Sequence, residues 1–204
     1  MSANLSVFHE MRDVRVAQQI AARAELGWFD TEFTMYGCAY MKDGQRFYRV
    51  SAFNEKIYEF IENDRVIDLY CGVGSISLYI SKYVGSVLGI EIIEDAIFDA
   101  KENAKINGIN NVDFICGDVS KLVDCNVNGN KIIVDPPRVG LDVHTIEILN
   151  EIDVDRLIYV SCDPMTLVRD LKLLSNYKID DVMVVDMFPQ THHVECVMNL
   201  HRKK

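Results

Sequence analysis

The chain has 204 residues, a length that suits one domain with a short appendage. Its net charge of -10 lacks the basic footprint of proteins that grip nucleic acid unaided, and no apolar run is long enough to cross a membrane. Its six cysteines form no C-x-x-C pair, which argues against a zinc ribbon or a cysteine-held iron–sulfur cluster. We therefore expect a cytoplasmic protein with mostly free thiols and no bound metal.

The N-terminal part of the chain differs from the rest. Its first stretch has helical composition, residues 29–50 are aromatic and irregular with room for short strands, and residues 55–62 predict a short helix. No Pro/Ser linker follows. We predict an N-terminal appendage at residues 1–46 and a main domain at residues 47–204.

From about Arg65, short apolar runs alternate with segments of helical period. Strands are predicted at RVIDLY, SVLGIE, VDFICG, KIIVD, RLIYVS, DVMVVDMF and ECVMNL, and helices at SISLYISKYV, EDAIFDAKENAKIN, HTIEILNEI and PMTLVRDLKLLSN. This alternation predicts parallel strand pairing in an α/β fold. The last two strands lack a helix between them, which fits an antiparallel pair at one edge. The terminal HRKK is interpreted as a solvated basic tail.

The segment DLYCGVGS follows the first core strand and has the features of a nucleotide-type binding loop. Gly72 and Gly74 allow a sharp turn close to a ligand, and Glu91 ends the next strand, where an acid commonly binds ribose hydroxyls. Ser77 stands where a dinucleotide fingerprint has its third glycine. This favours S-adenosylmethionine over NAD, with a plain strand-to-helix turn as the alternative.

Two further strands end in acidic residues. Asp118 follows the third strand, where it could reach an adenine edge or simply cap a helix. Asp135 begins DPPRVGLD, in which two prolines stiffen the loop and hold the acid toward the cleft. Arg138 could pair with a carboxylate or a phosphate. The alternative for this motif is a rigid turn with a salt bridge.

The segment YVSCDPMTLVRDL places a cysteine between a buried strand and a helix. Asp163 can cap that helix and Pro164 fits its first turn, so Cys162 lies at a helix N-terminus, where the dipole favours a thiolate. A buried, inert cysteine is the alternative.

The segment FPQTHHVEC carries His192, His193 and Glu195. Adjacent side chains of an extended segment point to opposite faces, which argues against a joint metal site at the two histidines. Glu195 as a catalytic base is the simpler hypothesis, and a hairpin with polar caps is the alternative.

Together these motifs resemble the RNA 5-methyluridine (uracil-C5) methyltransferases. The matching segments span about residues 47–200 in the family's order: DLYCGVGS, GIE, DPPRVGLD, YVSCDPMTLVRDL and FPQTHHVE. FYRVSAFNEKIY, residues 47–58, is similar to the family's FYQVN segment and following helix. Amino-group methyltransferases have an aromatic residue after the two prolines and RNA cytosine-5 methyltransferases a cysteine, where this chain has Arg138. The resemblance implies a class I S-adenosylmethionine-dependent methyltransferase fold, Rossmann-like, with a seven-stranded mostly parallel sheet and an antiparallel edge strand.

The resemblance also implies a reaction on an unpaired or flipped uridine of rRNA or tRNA. Cys162 would add to carbon 6 of uracil, carbon 5 would take the methyl group of S-adenosylmethionine, and Glu195 would remove the carbon 5 proton. Asp135 would contact both the base and the donor region. The donor site implied by the family comprises Arg49, Tyr70, Gly72, Gly74, Ser75, Glu91, Asp118 and Asp135.

The chain departs from the family pattern at its N-terminal side. Arg49 stands where the family has a donor-contacting glutamine, and Ser51 replaces an asparagine. The family's RNA-binding β-barrel and four-cysteine cluster have no counterpart, so the resemblance is to an N-terminally truncated catalytic domain. The alternatives are an active enzyme that uses a partner chain or local contacts to bind RNA, an impaired nucleoside-binding remnant, and a methyltransferase with another substrate.

Overall fold

The computed structural model describes residues 64–124, 131–186 and 194–203, together with the backbone of three strands nearer the N-terminus. The strands are β1 (Phe33–Gly37), β2 (Ala39–Lys42), β3 (Gln45–Tyr48), β4 (Arg65–Leu69), β5 (Ser86–Glu91), β6 (Val112–Cys116), β7 (Lys131–Val134), β8 (Arg156–Ser161), β9 (Tyr177–Asp186) and β10 (Glu195–Arg202). The helices are α1 (Ser75–Ile80), α2 (Glu94–Ile106), α3 (Lys121–Asp124), α4 (Val143–Glu151) and α5 (Pro164–Leu173). All seven predicted core strands and four predicted helices are confirmed, and α3 is an addition to them.

The central sheet has the strand order β1-β9-β10-β8-β7-β4-β5-β6. Strands β4 to β8 pair in parallel, whereas β10 runs antiparallel to both β8 and β9. This confirms the predicted class I methyltransferase architecture. The antiparallel strand was predicted at the sheet edge, and it lies one or more strands inside that edge. β10 is placed between β8 and β9, because it pairs with β9 in a hairpin and with β8 on its other side.

The N-terminal strands extend this sheet and form a second, small one. β1 pairs in parallel with β9 and adds an eighth strand, while β2 and β3 form a separate antiparallel pair. The predicted short strands within residues 29–50 are thus confirmed. The predicted helices before residue 64 lie outside the described residues, and the division at residues 46 and 47 stays a prediction.

Both faces of the sheet are buried, because successive side chains along each strand point to opposite sides. On one face, Val66, Ile133 and Ile158 pack with apolar residues of α1 and α2. On the other, the neighbouring residues Ile67, Ile132 and Leu157 pack with α3, α4 and α5. In the part of the chain described, no helix combines the length and apolar character needed to cross a membrane.

The basic C-terminal segment is part of the sheet. His201 and Arg202 belong to β10, and the amide of Arg202 donates to the Asp155 carbonyl at 3.0 Å. The amide of Lys203 donates to the Asn176 carbonyl at 2.8 Å. The interpretation of HRKK as a solvated tail is therefore wrong for His201 and Arg202, because strand pairing continues to Arg202, whereas Lys203 is exposed.

Candidate active site

The predicted motifs converge at one edge of the sheet. Since β4 to β8 are parallel, the loops after their carboxyl ends lie along the same edge. These loops and strand ends carry Gly72, Glu91, Asp118, Asp135 and Cys162. Open α/β sheets bind their ligands outside this edge.

The loop after β4 turns the chain sharply into α1. Tyr70, Gly72 and Gly74 have φ angles of 63°, 52° and 83°, and the Gly74 amide donates to the Cys71 carbonyl at 2.8 Å. A Cβ on Gly74 would lie 2.7 Å from Cζ of Phe114. Conformation and space therefore both require glycine at this position, which confirms the predicted tight turn.

The carboxylate of Glu91 connects this loop to the end of β5. Its Oε2 accepts a hydrogen bond from the Gly72 amide at 3.2 Å, and its Oε1 accepts one from the Ile93 amide at 3.1 Å. The side chain is thus held in one orientation at the mouth of the glycine loop. An acid held there can accept hydrogen bonds from ribose hydroxyls.

A cavity of about 290 Å³ opens beside Glu91, close to the lower limit of about 300 Å³ for small-molecule pockets. It combines apolar walls with several acidic groups. Its lining consists of Leu69, Tyr70, Ile90, Glu91, Ile92, Gly117, Asp118, Val119, Asp142, His144 and Thr145.

The cavity unites three of the predicted donor-site residues, namely Tyr70, Glu91 and Asp118. Gly72 and Gly74 shape the adjoining loop, and Ser75 is exposed as the first residue of α1, outside the cavity lining. Arg49 lies outside the described residues.

Asp118 caps a turn and also lines the cavity. Its carboxylate accepts hydrogen bonds from the amide and hydroxyl of Ser120, and these bonds hold the pKa of Asp118 below its usual range. The same residue lines the cavity. The turn-capping interaction therefore orients an ionised carboxylate beside the space where a ligand would lie.

The start of α4 forms one wall of the cavity, which the sequence patterns did not predict. Asp142 caps this helix by accepting hydrogen bonds from the amide and hydroxyl of Thr145, both at 2.8 Å. The Thr145 hydroxyl also lies 3.2 Å from the Tyr70 hydroxyl. Asp142 before an apolar helical segment was the available signal for the cap, but only the fold brings His144 and Thr145 to the cavity.

Cys162 lies directly after β8 and two residues before α5. The Asp163 carboxylate accepts hydrogen bonds from the amides of Met165 and Thr166 at 2.8 and 3.1 Å, and Pro164 is the first helical residue. The predicted cap and helix start are confirmed. The cysteine itself is partly exposed, as a residue that reacts with a ligand must be.

The strand register explains how Glu195 reaches Cys162. In the antiparallel pair of β10 and β8, Cys196 lies opposite Ser161, so the next positions along the two chains are Glu195 and Cys162. Asp135 directly follows β7, the parallel neighbour of β8 on its other side. The fold therefore gathers the three predicted catalytic residues at adjacent strand ends.

Burial changes the acid–base properties of both carboxyls. Burial raises the pKa of Asp135 to about 6. For Glu195, burial and the charge of Asp135 raise the pKa to about 7, against the opposing effect of Arg138. A carboxyl with a pKa near neutrality is suited to accept and release a proton at neutral pH.

The surroundings of Cys162 act on its pKa in both directions. Burial raises the pKa of Cys162, and the negative charges of Glu195 and Asp135 raise it further, whereas Arg138 lowers it. Among the neighbouring charges, that of Arg138 favours the thiolate, and a backbone hydrogen bond to Cys162 has a smaller effect in the same direction.

Asp68 is a further acidic residue that sequence reasoning did not single out. It is fully buried, and its Oδ2 accepts a hydrogen bond from the Ser77 hydroxyl at 2.5 Å. Its Oδ1 has no hydrogen-bond partner in the described structure. Burial raises the pKa of Asp68 to about 7, with smaller contributions from Asp135 and Glu91.

Within residues 64–124, 131–186 and 194–203, no group of three or more His, Cys, Asp or Glu side chains is arranged to hold a metal ion. His192 and His193 lie outside these residues.

Two protein-family models match the chain. The model for tRNA (uracil-5-)-methyltransferase matches residues 118–203, and the TRM5/TYW2 methyltransferase domain matches residues 31–151. The first covers the strand ends that carry Asp135, Cys162 and Glu195, and the second covers the glycine loop and the cavity.

Curated relatives are RNA methyltransferases of uncharacterised specificity. One from Oceanobacillus iheyensis is 46% identical over 148 residues, covering 70% of this chain and 32% of the relative. One from Bacillus cereus is 38% identical over 197 residues, covering 85% of this chain and 43% of the relative. The chain thus spans about a third to just over two fifths of the length of these relatives.

Solved structures agree with the fold. The tRNA (uracil-54, C5)-methyltransferase of Pyrococcus abyssi, in complex with S-adenosyl-L-homocysteine, is 32% identical, with a TM-score of 0.66. The match covers 79% of this chain and 43% of that protein. TrmN from Thermus thermophilus is 18% identical with a TM-score of 0.59, over 76% of this chain and 48% of TrmN, which supports the fold alone. The TRM5/TYW2 model matches more than half of the chain, so the chain belongs to that methyltransferase domain family, and its C-terminal part is similar to the tRNA (uracil-5-)-methyltransferases.

Proposed function

We propose that this chain methylates carbon 5 of a uridine in rRNA or tRNA, with S-adenosylmethionine as the donor and Cys162 as a covalent nucleophile. The observation that carries the proposal is the meeting of Cys162 with Glu195 and Asp135 at adjacent strand ends. The cavity beside Glu91 opens along the same sheet edge. A cytoplasmic site of action is part of this proposal.

The donor site consists of the glycine loop and the cavity. Glu91 would bind the ribose hydroxyls, Asp118 would accept a hydrogen bond from the adenine amino group, and Ile92 and Val119 provide apolar walls for the ring. When bound, S-adenosylmethionine supplies an electrophilic methyl group. The polar groups and the apolar walls of the cavity fit such a nucleoside.

Cys162 and Glu195 would act in sequence on the base. The Cys162 thiolate adds to carbon 6 of uracil, and the electron pair displaced from the ring double bond makes carbon 5 nucleophilic. After carbon 5 has accepted the methyl group, ionised Glu195 removes its remaining proton. The electrons of that bond restore the double bond and expel the Cys162 thiolate.

The substrate has to present an accessible base. A uridine within a duplex would be flipped out, at a cost of a few kcal/mol, whereas a loop uridine is already accessible. The chain carries a net charge of -10, so strong binding through its own basic groups is not expected. RNA binding through a further segment or a separate RNA-binding chain is therefore part of the proposal.

The nucleophile can be tested with rRNA and tRNA containing 5-fluorouridine. Fluorine at carbon 5 cannot be removed as a proton, so a covalent Cys162–RNA adduct should accumulate in the presence of donor. Cys162→Ala should abolish the adduct, whereas Cys116→Ala, at another cysteine with access to solvent, should leave it intact.

Donor binding is measured separately by titration calorimetry with S-adenosylmethionine. Donor binding without an adduct on an RNA that the chain binds would refute the assignment of Cys162. Absence of both binding and adduct would favour the impaired nucleoside-binding remnant instead.

A further inference from the structure

A tight turn after β7 carries Arg138 to the surface at the sheet edge where Cys162 follows the neighbouring strand β8, and the charge of Arg138 acts on that thiol. The amide of Gly140 donates to the Pro137 carbonyl at 2.8 Å, and Gly140 has a φ angle of 76°. Arg138 is the second residue of this turn and is exposed. The location of its charge therefore depends on what holds residues 137–141 in place.

Helix α5 holds that turn on both sides of Gly140. One guanidinium nitrogen of Arg169, Nη2, donates to the Val139 carbonyl at 2.8 Å and to the Leu141 carbonyl at 3.1 Å. Oδ2 of Asp170 accepts a hydrogen bond from the Leu141 amide at 2.8 Å. Three backbone groups of the turn thus bind two consecutive residues of one helix.

Gly140 packs tightly against Arg169 and Asp170. A Cβ on Gly140 would lie 2.5 Å from Asp170 Oδ2 and 2.6 Å from Arg169 Nη2. Asp170 is fully buried, and it also accepts hydrogen bonds from the Tyr159 hydroxyl at 2.6 Å and from Arg169 Nε at 2.8 Å. A buried carboxylate with this many donors is fixed in place, since losing any of them would be costly.

The same helix begins next to the nucleophile. Asp163, the residue after Cys162, caps α5, and Arg169 lies in the second turn of this helix. The helix therefore provides a short rigid connection between the thiol and the turn that carries Arg138. We propose that Arg169 and Asp170 are positioning residues that hold Arg138 beside the Cys162 thiol and so keep the thiol reactive. This inference rests on the proposed role of Cys162.

The test measures the reactivity of the thiol, which requires neither RNA nor donor. Iodoacetamide alkylation of Cys162 is followed across pH by mass spectrometry of its peptide, with exposed Cys116 as an internal reference. Arg169→Lys keeps a positive charge beside Asp170 but cannot bridge two carbonyls and a carboxylate. We expect it to slow Cys162 alkylation at pH 7.5 about threefold or more, which corresponds to about half a pKa unit.

A double-variant cycle distinguishes a role of Arg169 in positioning Arg138 from a general loss of packing in the Arg169 variant. Arg138→Ala should slow alkylation to a similar degree, and Arg138→Ala combined with Arg169→Lys should be no slower than Arg138→Ala alone, because the second change acts through the first residue. Arg156→Lys, which alters an arginine at the other end of β8, should leave Cys162 alkylation unchanged.

Two results would overturn the inference: unchanged alkylation of Cys162 in Arg169→Lys, or effects that multiply in the double variant. Thermal melts show whether Arg169→Lys folds, and Arg169→Gln serves as the second variant if it does not. Failure of the proposed function would appear instead as a missing 5-fluorouridine adduct, whatever the alkylation rates.

Discussion

Replacing Asp68 with asparagine should remove a large part of the protein's pH-dependent stability. Asp68 is fully buried under the glycine loop, with one oxygen bound to Ser77 and the other without a partner in the described structure. Its pKa of about 7 means that the folded protein keeps a proton that the unfolded chain, with the ordinary value of 3.8, releases. This stabilisation is complete below pH 3.8 and is lost as the pH rises through about 7.

The magnitude follows from the two pKa values. Between pH 5 and pH 8, a group that titrates near 3.8 unfolded and near 7 folded reduces the free energy of unfolding by up to about 2.5 kcal/mol. Asparagine has nearly the same shape, is neutral at both pH values, and keeps a carbonyl oxygen to accept the Ser77 hydroxyl. We therefore expect Asp68→Asn to lose most of this dependence.

Urea denaturation at pH 5, 6, 7 and 8 measures the effect, with the free energy of unfolding extrapolated to water at each pH. Asp99→Asn, at an exposed position on α2, is the matched control and should follow the wild type at every pH. Asp135 and Glu195 titrate in the same range and remain in both proteins, so the difference between the curves measures the removal of the Asp68 carboxyl together with its effect on neighbouring acids. Parallel curves for wild type and Asp68→Asn would refute the burial argument.

Two further substitutions test the loops that build the site. Gly74→Ala should lower the free energy of unfolding by about 1–3 kcal/mol and weaken binding of S-adenosylmethionine in calorimetry, because the position has positive φ and its new Cβ would meet the Phe114 ring; wild-type stability and affinity would contradict this. Asp163→Ala should cost about 1 kcal/mol in chemical denaturation, because the amides of Met165 and Thr166 lose their acceptor, and an unchanged midpoint would show that the cap is dispensable.

Much of the fold was predictable because each element carries a local pattern. The strands from Arg65 onward are short apolar runs, and the helices between them have an apolar stripe with recognisable caps such as Asp163-Pro164. The place of β10 within the sheet could not be predicted from local sequence patterns. The last two strands predict a hairpin, but insertion of β10 between β9 and β8 depends on which sheet edge the hairpin meets.

The candidate site was predictable to the extent that it consists of strand ends. Glu91 ends a strand and Asp135 and Cys162 each follow one, so parallel pairing brings them to one edge. The wall of α4 and the clamp formed by Arg169 and Asp170 were not predictable, since they depend on contacts between loops and helices far apart in the chain.

The sequence by itself determined the order of strands and helices, the glycine turn, and the residue types that can act as nucleophile and base. These follow from short-range geometry and side-chain chemistry. Only the tertiary structure decided their electrostatics: it buries Asp68, Asp135 and Glu195, and it raises the pKa of the Cys162 thiol by partly burying it and by placing negative charge beside it. A pKa depends on solvent access and on every charge within several ångströms, and both are set by packing between elements that the sequence keeps far apart.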